Sequence, residues 1–143
     1  VQRLKTRPQF QAVLAGSTLA RTDHFALHCC ALQSVPQAPQ GDAAPLFPVD
    51  GVWLGAMLPK RWAKRAVTRN AIKRQIYQVS TEMESSLAPR AHVVRLRAGF
   101  DRTRFISASS DALKAAVRTE LRQLFDRAQA AAAARTGSPR VQA

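Results

Sequence analysis

The sequence predicts an α+β fold, a two-layer sandwich of helices on a small sheet of about four strands. Three observations lead there. Apolar residues recur at helical spacing in residues 8–15, in the stretch that ends near Leu87, and in residues 111–134. Between them lie short apolar runs of strand length at 25–32, 49–58 and 91–97. With 143 residues, 46% of them hydrophobic, the chain can bury one core of ordinary size, which excludes a fully disordered basic tail.

Each element has a local reason. Pro8 suits the first turn of a helix, Phe10, Val13 and Leu14 follow at i, i+3 and i+4, and Gly16 stops it. Residues 17–24 hold one short strand and a turn. In the run FALHCCAL, Phe25, Leu27, Cys29 and Ala31 share one face while Ala26, His28, Cys30 and Leu32 share the other. Neither face is strongly polar, so both are candidates for covering. Residues 33–48, with Pro36, Pro39, Gly41, Pro45 and Pro48, read as a surface loop. A strand over 49–58 is stopped by Pro59, and a basic stretch and a long helix follow to about Leu87. Residues 91–97 form the next strand and 102–110 a loop. Ser110 is a fair N-cap for a last helix from Asp111 to about Ala134. Its stripe is Leu113, Val117, Leu121, Leu124 and Phe125, with Lys114, Arg118, Arg122 and Arg127 mainly opposite. Residues 1–134 thus make one domain, and the tail 135–143 is expected to be disordered.

Charge narrows the function. The 22 Lys and Arg against 9 Asp and Glu leave a formal net charge of +13, which attracts polyanions. No apolar run reaches the roughly 18–20 residues of a bilayer span, and no signal-peptide core opens the chain. The adjacent pair Cys29 and Cys30 offers neither a zinc-ligand spacing nor an unstrained disulfide, which points to a reducing compartment, the cytoplasm. His24, His28 and His92 fall on different elements, carboxylates are few and dispersed, and Ser109 and Ser110 lack nucleophile-elbow glycines. Neither protein-borne catalysis nor a protein-held metal is expected.

The charge is concentrated. Seven of the fifteen residues from Lys60 to Arg74 are basic (Lys60, Arg61, Lys64, Arg65, Arg69, Lys73, Arg74), and none is acidic. Plotted on a helix from about Val67, Ile72, Ile76, Val79 and Met83 fall within an arc of about 60°, the core side. Arg69, Asn70, Lys73, Arg74 and Tyr77 fall within a separate arc of about 140°. Arginine can fork onto a phosphate or stack on a base, and Asn70 can both donate to and accept from a base edge or a 2′-hydroxyl. The bland alternative is a solvated basic face that aids solubility, but without acidic partners at i±4 such a face repels itself.

The string from Lys64 through Arg69-Asn70-Ala71-Ile72-Lys73-Arg74 resembles the signature helix of the protein subunit of bacterial ribonuclease P, basic residues followed by A-V-x-R-N-x-x-K-R-x-x-R. This chain departs at the last position, where Tyr77 replaces arginine. Arg3-Leu4-Lys5 with Phe10 and Leu14 resembles the family's N-terminal helix, and Phe25–His28 its following strand, so the likeness covers about residues 1–127. The resemblance implies the order αβββαβα with a left-handed crossover through the basic helix. It implies a protein component without chemistry of its own, in an endoribonuclease whose catalytic RNA binds Mg²⁺ and removes the 5′ leader of precursor tRNA. Partners would be that RNA and precursor tRNA, with no membrane and no obligate protein partner. The RNA-binding residues would be Lys60, Arg61, Lys64, Arg65, Arg69, Asn70, Lys73, Arg74 and Tyr77, and the leader cleft would hold Phe10, Leu14 and His28. Two other readings are a different structured-RNA-binding, ribosome-associated protein without a role in cleavage, and a protein-only nuclease. A helix-turn-helix DNA reader fits less well, since the basic helix follows a strand with no partner helix before it.

Overall fold

The computed structural model describes residues 1–32, 47, 49–100 and 111–142, with side chains described through Ala132. In chain order the elements are β1 (Gln2–Arg3), α1 (Arg7–Leu14), β2 (Ser17–Arg21), β3 (Phe25–Cys30), β4 (Trp53–Met57), α2 (Ala66–Glu82), a 3₁₀ turn (Glu84–Ser86), β5 (Ala91–Leu96) and α3 (Asp111–Gln142). The strands form one mixed sheet in the order β1-β4-β5-β3-β2. β3 runs antiparallel to both β2 and β5, whereas β4 and β5 are parallel and joined through α2. The α+β class holds with one strand more than expected. β1, paired in parallel to β4, is two residues long and too short to leave a periodic trace.

Thr6 starts α1 with a reciprocal cap: its hydroxyl accepts from Gln9 N–H, and the Gln9 side chain accepts from Thr6 N–H. β4 begins at Trp53, later than expected. Gly51, at φ 124°, turns the chain just before it, and Trp53 Nε1 donates back to Val49 O at 2.7 Å. Phe47 lies buried against Trp53, ring centroids 5.5 Å apart. The rest of the loop expected at 33–48 and that at 102–110, with the Ser110 cap, lie outside the described residues. α3 continues past Ala134 to Gln142, where a disordered tail was expected. The alanine run 130–134 has the highest intrinsic propensity to carry a helix onward.

The helices divide between the two faces of the sheet, so the expected pair of layers gains a third, partial one. Phe25, Leu27, Leu54, Val94 and Leu96 point to one face, where α2 supplies Ile72, Ile76 and Val79 and α3 supplies Leu113, Val117, Leu121, Leu124 and Phe125. Cys30, Trp53, Ala91 and Val93 point to the other, where α1 supplies Val13, with Phe10 and Leu14 at the margin. The mostly apolar alternation of β3 is the cause, since every one of its side chains is buried. Cys29 and Cys30 are buried, not joined in a disulfide, and lie on opposite faces. Arg118 does not point away from the core as the wheel suggests. It reaches α2, where both its Nη2 contacts to Glu82 are 2.8 Å and its Nη1 donates to Gln75 Oε1 at 3.0 Å.

α1 ends where its backbone crosses β3. A Cβ on Gly16 would collide with the Cys29 carbonyl oxygen, a backbone atom that cannot swing aside. Gly16→Ala is therefore expected to destabilise the fold by about 1–3 kcal/mol, read as a lower urea midpoint. A parental midpoint would mean that α1 can lift from β3 freely.

Candidate nucleic-acid interface

α2 is amphipathic in the sense that matters here. Ile72, Ile76 and Val79 are 1%, 0% and 0% exposed, and Met83 packs against the same cluster. Asn70, Lys73 and Arg74 are exposed on the outside. Among the described residues, none of the seven cations from Lys60 to Arg74 makes an ion pair. Glu82, the nearest carboxylate on the helix, is occupied by Arg118 and Arg122, which hold it below its usual range, hydrogen bonding by Arg118 being the largest cause. The start of the helix is open too. Arg65 stands at the N-cap without a side-chain cap, and the first turn has no acidic residue. Its free N–H groups add to the positive potential that the lysines and arginines create.

Two residues of the expected face are not simply outward. Arg69 is half-buried, and its Nη1 donates to Ala63 O at 2.9 Å and Lys64 O at 2.8 Å, closing the turn that precedes α2. Tyr77 is buried, at 8% exposure, and the Arg3 guanidinium lies 4.1 Å from its ring centroid. Burial pushes its phenol up, with the Arg3 charge and a backbone hydrogen bond from Ala56 acting against it. A helical wheel treats one side as covered. β1 adds an edge strand beyond β4 and covers this second flank as well.

On the opposite face of the sheet, α1 does not reach every row of the strands. Cross-strand register puts Thr18, His28, Val93 and Gly55 in one row and Ala26, Arg95 and Met57 in the next. Phe10 stands over Gly55, where a Cβ would lie 2.6 Å from its ring. Arg95 Nε donates to His28 Nε2 at 3.1 Å, and His28 Nδ1 is 3.2 Å from Thr18 Oγ1. Burial first, then the charges of Arg95 and Arg21, keep the His28 imidazole below its ordinary 6.5. It is therefore neutral at pH 7, with the proton on Nδ1 facing Thr18. Arg95 and Met57 are half-exposed beside it.

The chain matches the Ribonuclease P family over residues 1–129. It is 32% identical over 136 residues to the ribonuclease P protein component of Burkholderia pseudomallei (strain 1106a), covering 95% of this chain and 88% of that one. It belongs to the ribonuclease P protein family. The component from Nostoc sp. is 36% identical over 93 residues, 61% of this chain and 66% of that protein. The fold is similar to that of the Staphylococcus aureus RNase P protein, with a TM-score of 0.62 at 18% identity over 88% of this chain and 94% of that one.

Within this ribonuclease P fold the expected site residues fall into two groups. Lys60, Arg61, Lys64, Arg65, Asn70, Lys73 and Arg74 are exposed along the approach to α2 and its outer side, with Arg69 and Tyr77 placed as described above. Phe10, Leu14 and His28 lie on the α1 side of the sheet, Phe10 and Leu14 half-buried and His28 buried. Sequence reasoning passed over Trp62 and Arg95. Trp62 is 37% exposed within the basic run, with the Arg61 guanidinium 5.3 Å from its ring. An aromatic inside a cationic stretch and an arginine alternating with Val93 in an apolar strand were the available signals. Among the described residues no three His, Cys, Asp or Glu converge as metal ligands, and no helix is long and apolar enough to cross a membrane.

Arg69 and Lys73 should separate on substitution. Arg69→Ala removes two hydrogen bonds to carbonyls and is expected to cost about 1 kcal/mol in urea unfolding, while Lys73→Ala stays within about 0.5 kcal/mol of the parent. Equal effects would mean that the Arg69 hydrogen bonds do not hold the turn. Acid should also weaken the fold. His92, almost wholly buried, is held below 6.5 chiefly by burial, with Nε2 donating to Ala88 O at 3.1 Å and Nδ1 without a hydrogen-bond partner among the described residues. As pH falls through 6.5, the unfolded chain takes up protons that the folded His28 and His92 refuse. Their contribution is thus complete above 6.5 and lost progressively below it, toward the folded values. The urea midpoint should drop between pH 7 and 5, and the His28→Gln/His92→Gln variant should show a shallower drop. An equally steep drop would place the titration elsewhere.

Proposed function

We propose that this chain is the protein component of a ribonuclease P ribonucleoprotein. It binds the catalytic ribonuclease P RNA and the 5′ leader of precursor tRNA, and supports the Mg²⁺-dependent endonucleolytic step that removes the leader and leaves the mature tRNA 5′ end. The observation that carries this reading is the outer side of α2, where Asn70, Lys73 and Arg74 stand exposed and, among the described residues, no carboxylate pairs with them. A solvated face kept only for solubility would gain from interspersed acids. A face meant for phosphates excludes them.

The division of labour follows from the side chains. Lys73 and Arg74 neutralise phosphates, Arg74 by a forked pair of N–H donors, and Asn70 reads a 2′-hydroxyl, a base edge or the water around a cation. On the other face, the Phe10 ring offers a stacking surface and Arg95 a charge, the combination that holds a single strand without reading its sequence. Leu14 and His28 complete the wall. Mg²⁺ is supplied and held by the RNA subunit, and the hydrolysis is the RNA's own. By lowering the repulsion between two polyanions, the protein reduces the concentration of Mg²⁺ they need to associate. Such a particle works in the cytoplasm, away from membranes, and requires no further protein partner.

Adding the chain to ribonuclease P RNA and precursor tRNA at low Mg²⁺ should restore leader cleavage, while the chain with precursor tRNA and Mg²⁺ alone should not cleave. Affinity for the RNA should fall steeply with salt, and Lys73→Ala/Arg74→Ala should make log K against log salt shallower by about one for each phosphate no longer neutralised. Binding without any change in cleavage would favour a structured-RNA-binding protein of another kind. Cleavage by the chain alone would make it a nuclease.

A further inference from the structure

The groove along the outer side of α2 is not built by α2 alone. It is an open volume of about 670 Å³ whose lining includes Asn70, Lys73, Arg74 and Tyr77 of the helix together with Arg3 of β1. β1 is pinned to the sheet edge by Gln2 N–H to Val52 O at 2.8 Å and Leu4 N–H to Leu54 O at 2.9 Å. Leu4 is buried with the α1 cluster, so strand alternation sends Arg3 to the α2 side. There its guanidinium lies over the Tyr77 ring, 4.1 Å from the centroid. Tyr77 is a firm platform, buried and tied to the Ala56 backbone.

Stacking uses the π-face of a guanidinium and leaves its N–H edge free. Among the described residues nothing uses that edge: Arg3 is exposed and makes no ion pair. Glu82, among the described residues the one carboxylate lining the groove, is held by Arg118 and Arg122. A preordered, unneutralised guanidinium beside Lys73 and Arg74 loses little side-chain freedom when it takes a phosphate.

We infer that Arg3 is a further RNA-phosphate-binding residue of this protein, and that Tyr77 is its positioning residue. Where the family's helix pattern has an arginine, this chain has a ring that holds the guanidinium of a residue brought in by another strand. The inference rests on the RNA-binding reading above.

The test measures affinity of the full chain for ribonuclease P RNA across a salt series, with a melting curve for each variant. Arg3→Ala should weaken binding about tenfold and make the salt slope shallower by about one, with an unchanged melting temperature. Tyr77→Phe keeps the ring and should bind like the parent, whereas Tyr77→Leu should weaken binding as Arg3→Ala does. The double variant Arg3→Ala/Tyr77→Leu should be no weaker than either single one, because both remove the same held charge. Arg3→Ala/Tyr77→Arg, which returns a cation to the helix, should recover the missing affinity. If the parent chain does not bind the RNA, both this inference and the reading beneath it fall. If the parent binds and Arg3→Ala leaves affinity and slope unchanged, the inference alone is overturned. Should Tyr77→Leu fail to fold, the Arg3→Ala salt slope decides by itself.

Discussion

Burial of Ile72, Ile76 and Val79 beneath α2 is the constraint on which the molecule's working surface depends. Arg65 with Arg69, and Arg69 with Lys73, are like charges four residues apart, and each such pair opposes the helix by a few tenths of a kcal/mol. A fully buried aliphatic side chain contributes about 1.5–3 kcal/mol in the other direction. Three of them outweigh the repulsion several times over. The cations are therefore held close together by the far side of the helix, with no acidic partners on their own side among the described residues.

Two of the carboxylates, Glu82 and Glu120, are engaged elsewhere, and this keeps the two signs apart. Glu82, although it lines the groove, is held by Arg118 and Arg122 of α3. Glu120 grips the β2–β3 turn, accepting from Thr22 Oγ1 and His24 N–H at 2.6 Å each, with His24 Nδ1 at 2.7 Å. Both acids fasten α3 to the body of the fold. Among the described residues no ion pair compensates the positive potential along Lys60–Arg74, as attraction to a polyanion requires.

The other face of the sheet repeats the arrangement with strands. α1 covers one end of it and leaves Arg95, His28 and Met57 at the other. Burial, and after it the charges of Arg95 and Arg21, hold the His28 imidazole below its ordinary value, so at neutral pH it accepts from Arg95 and orients it. Both surfaces border the β4–β1 edge, where Phe10 stands over Gly55 and Arg3 over Tyr77. A short edge strand thus links the two.

Much of this was legible in one dimension. Helical spacing in residues 8–15 and 66–82, alternation in 25–30 and the Leu113–Phe125 stripe are properties of neighbours a few positions apart, and local geometry fixes which side chains share a side. So is the cationic run, whose Asn70, Lys73 and Arg74 lie outward as the wheel requires. What only the tertiary structure decided depends on chain segments far apart. The two-residue β1 exists because β4 offers it an edge, Tyr77 is covered because β1 lies there, and Arg118 meets Glu82 because α3 docks beside α2. Arg69 turned to carbonyls of its own preceding turn, a choice set by the path of residues 59–65 and not by helical phase. Periodicity records which residues can face together. Which of them are then covered is settled by long-range packing, and periodicity carries no trace of it.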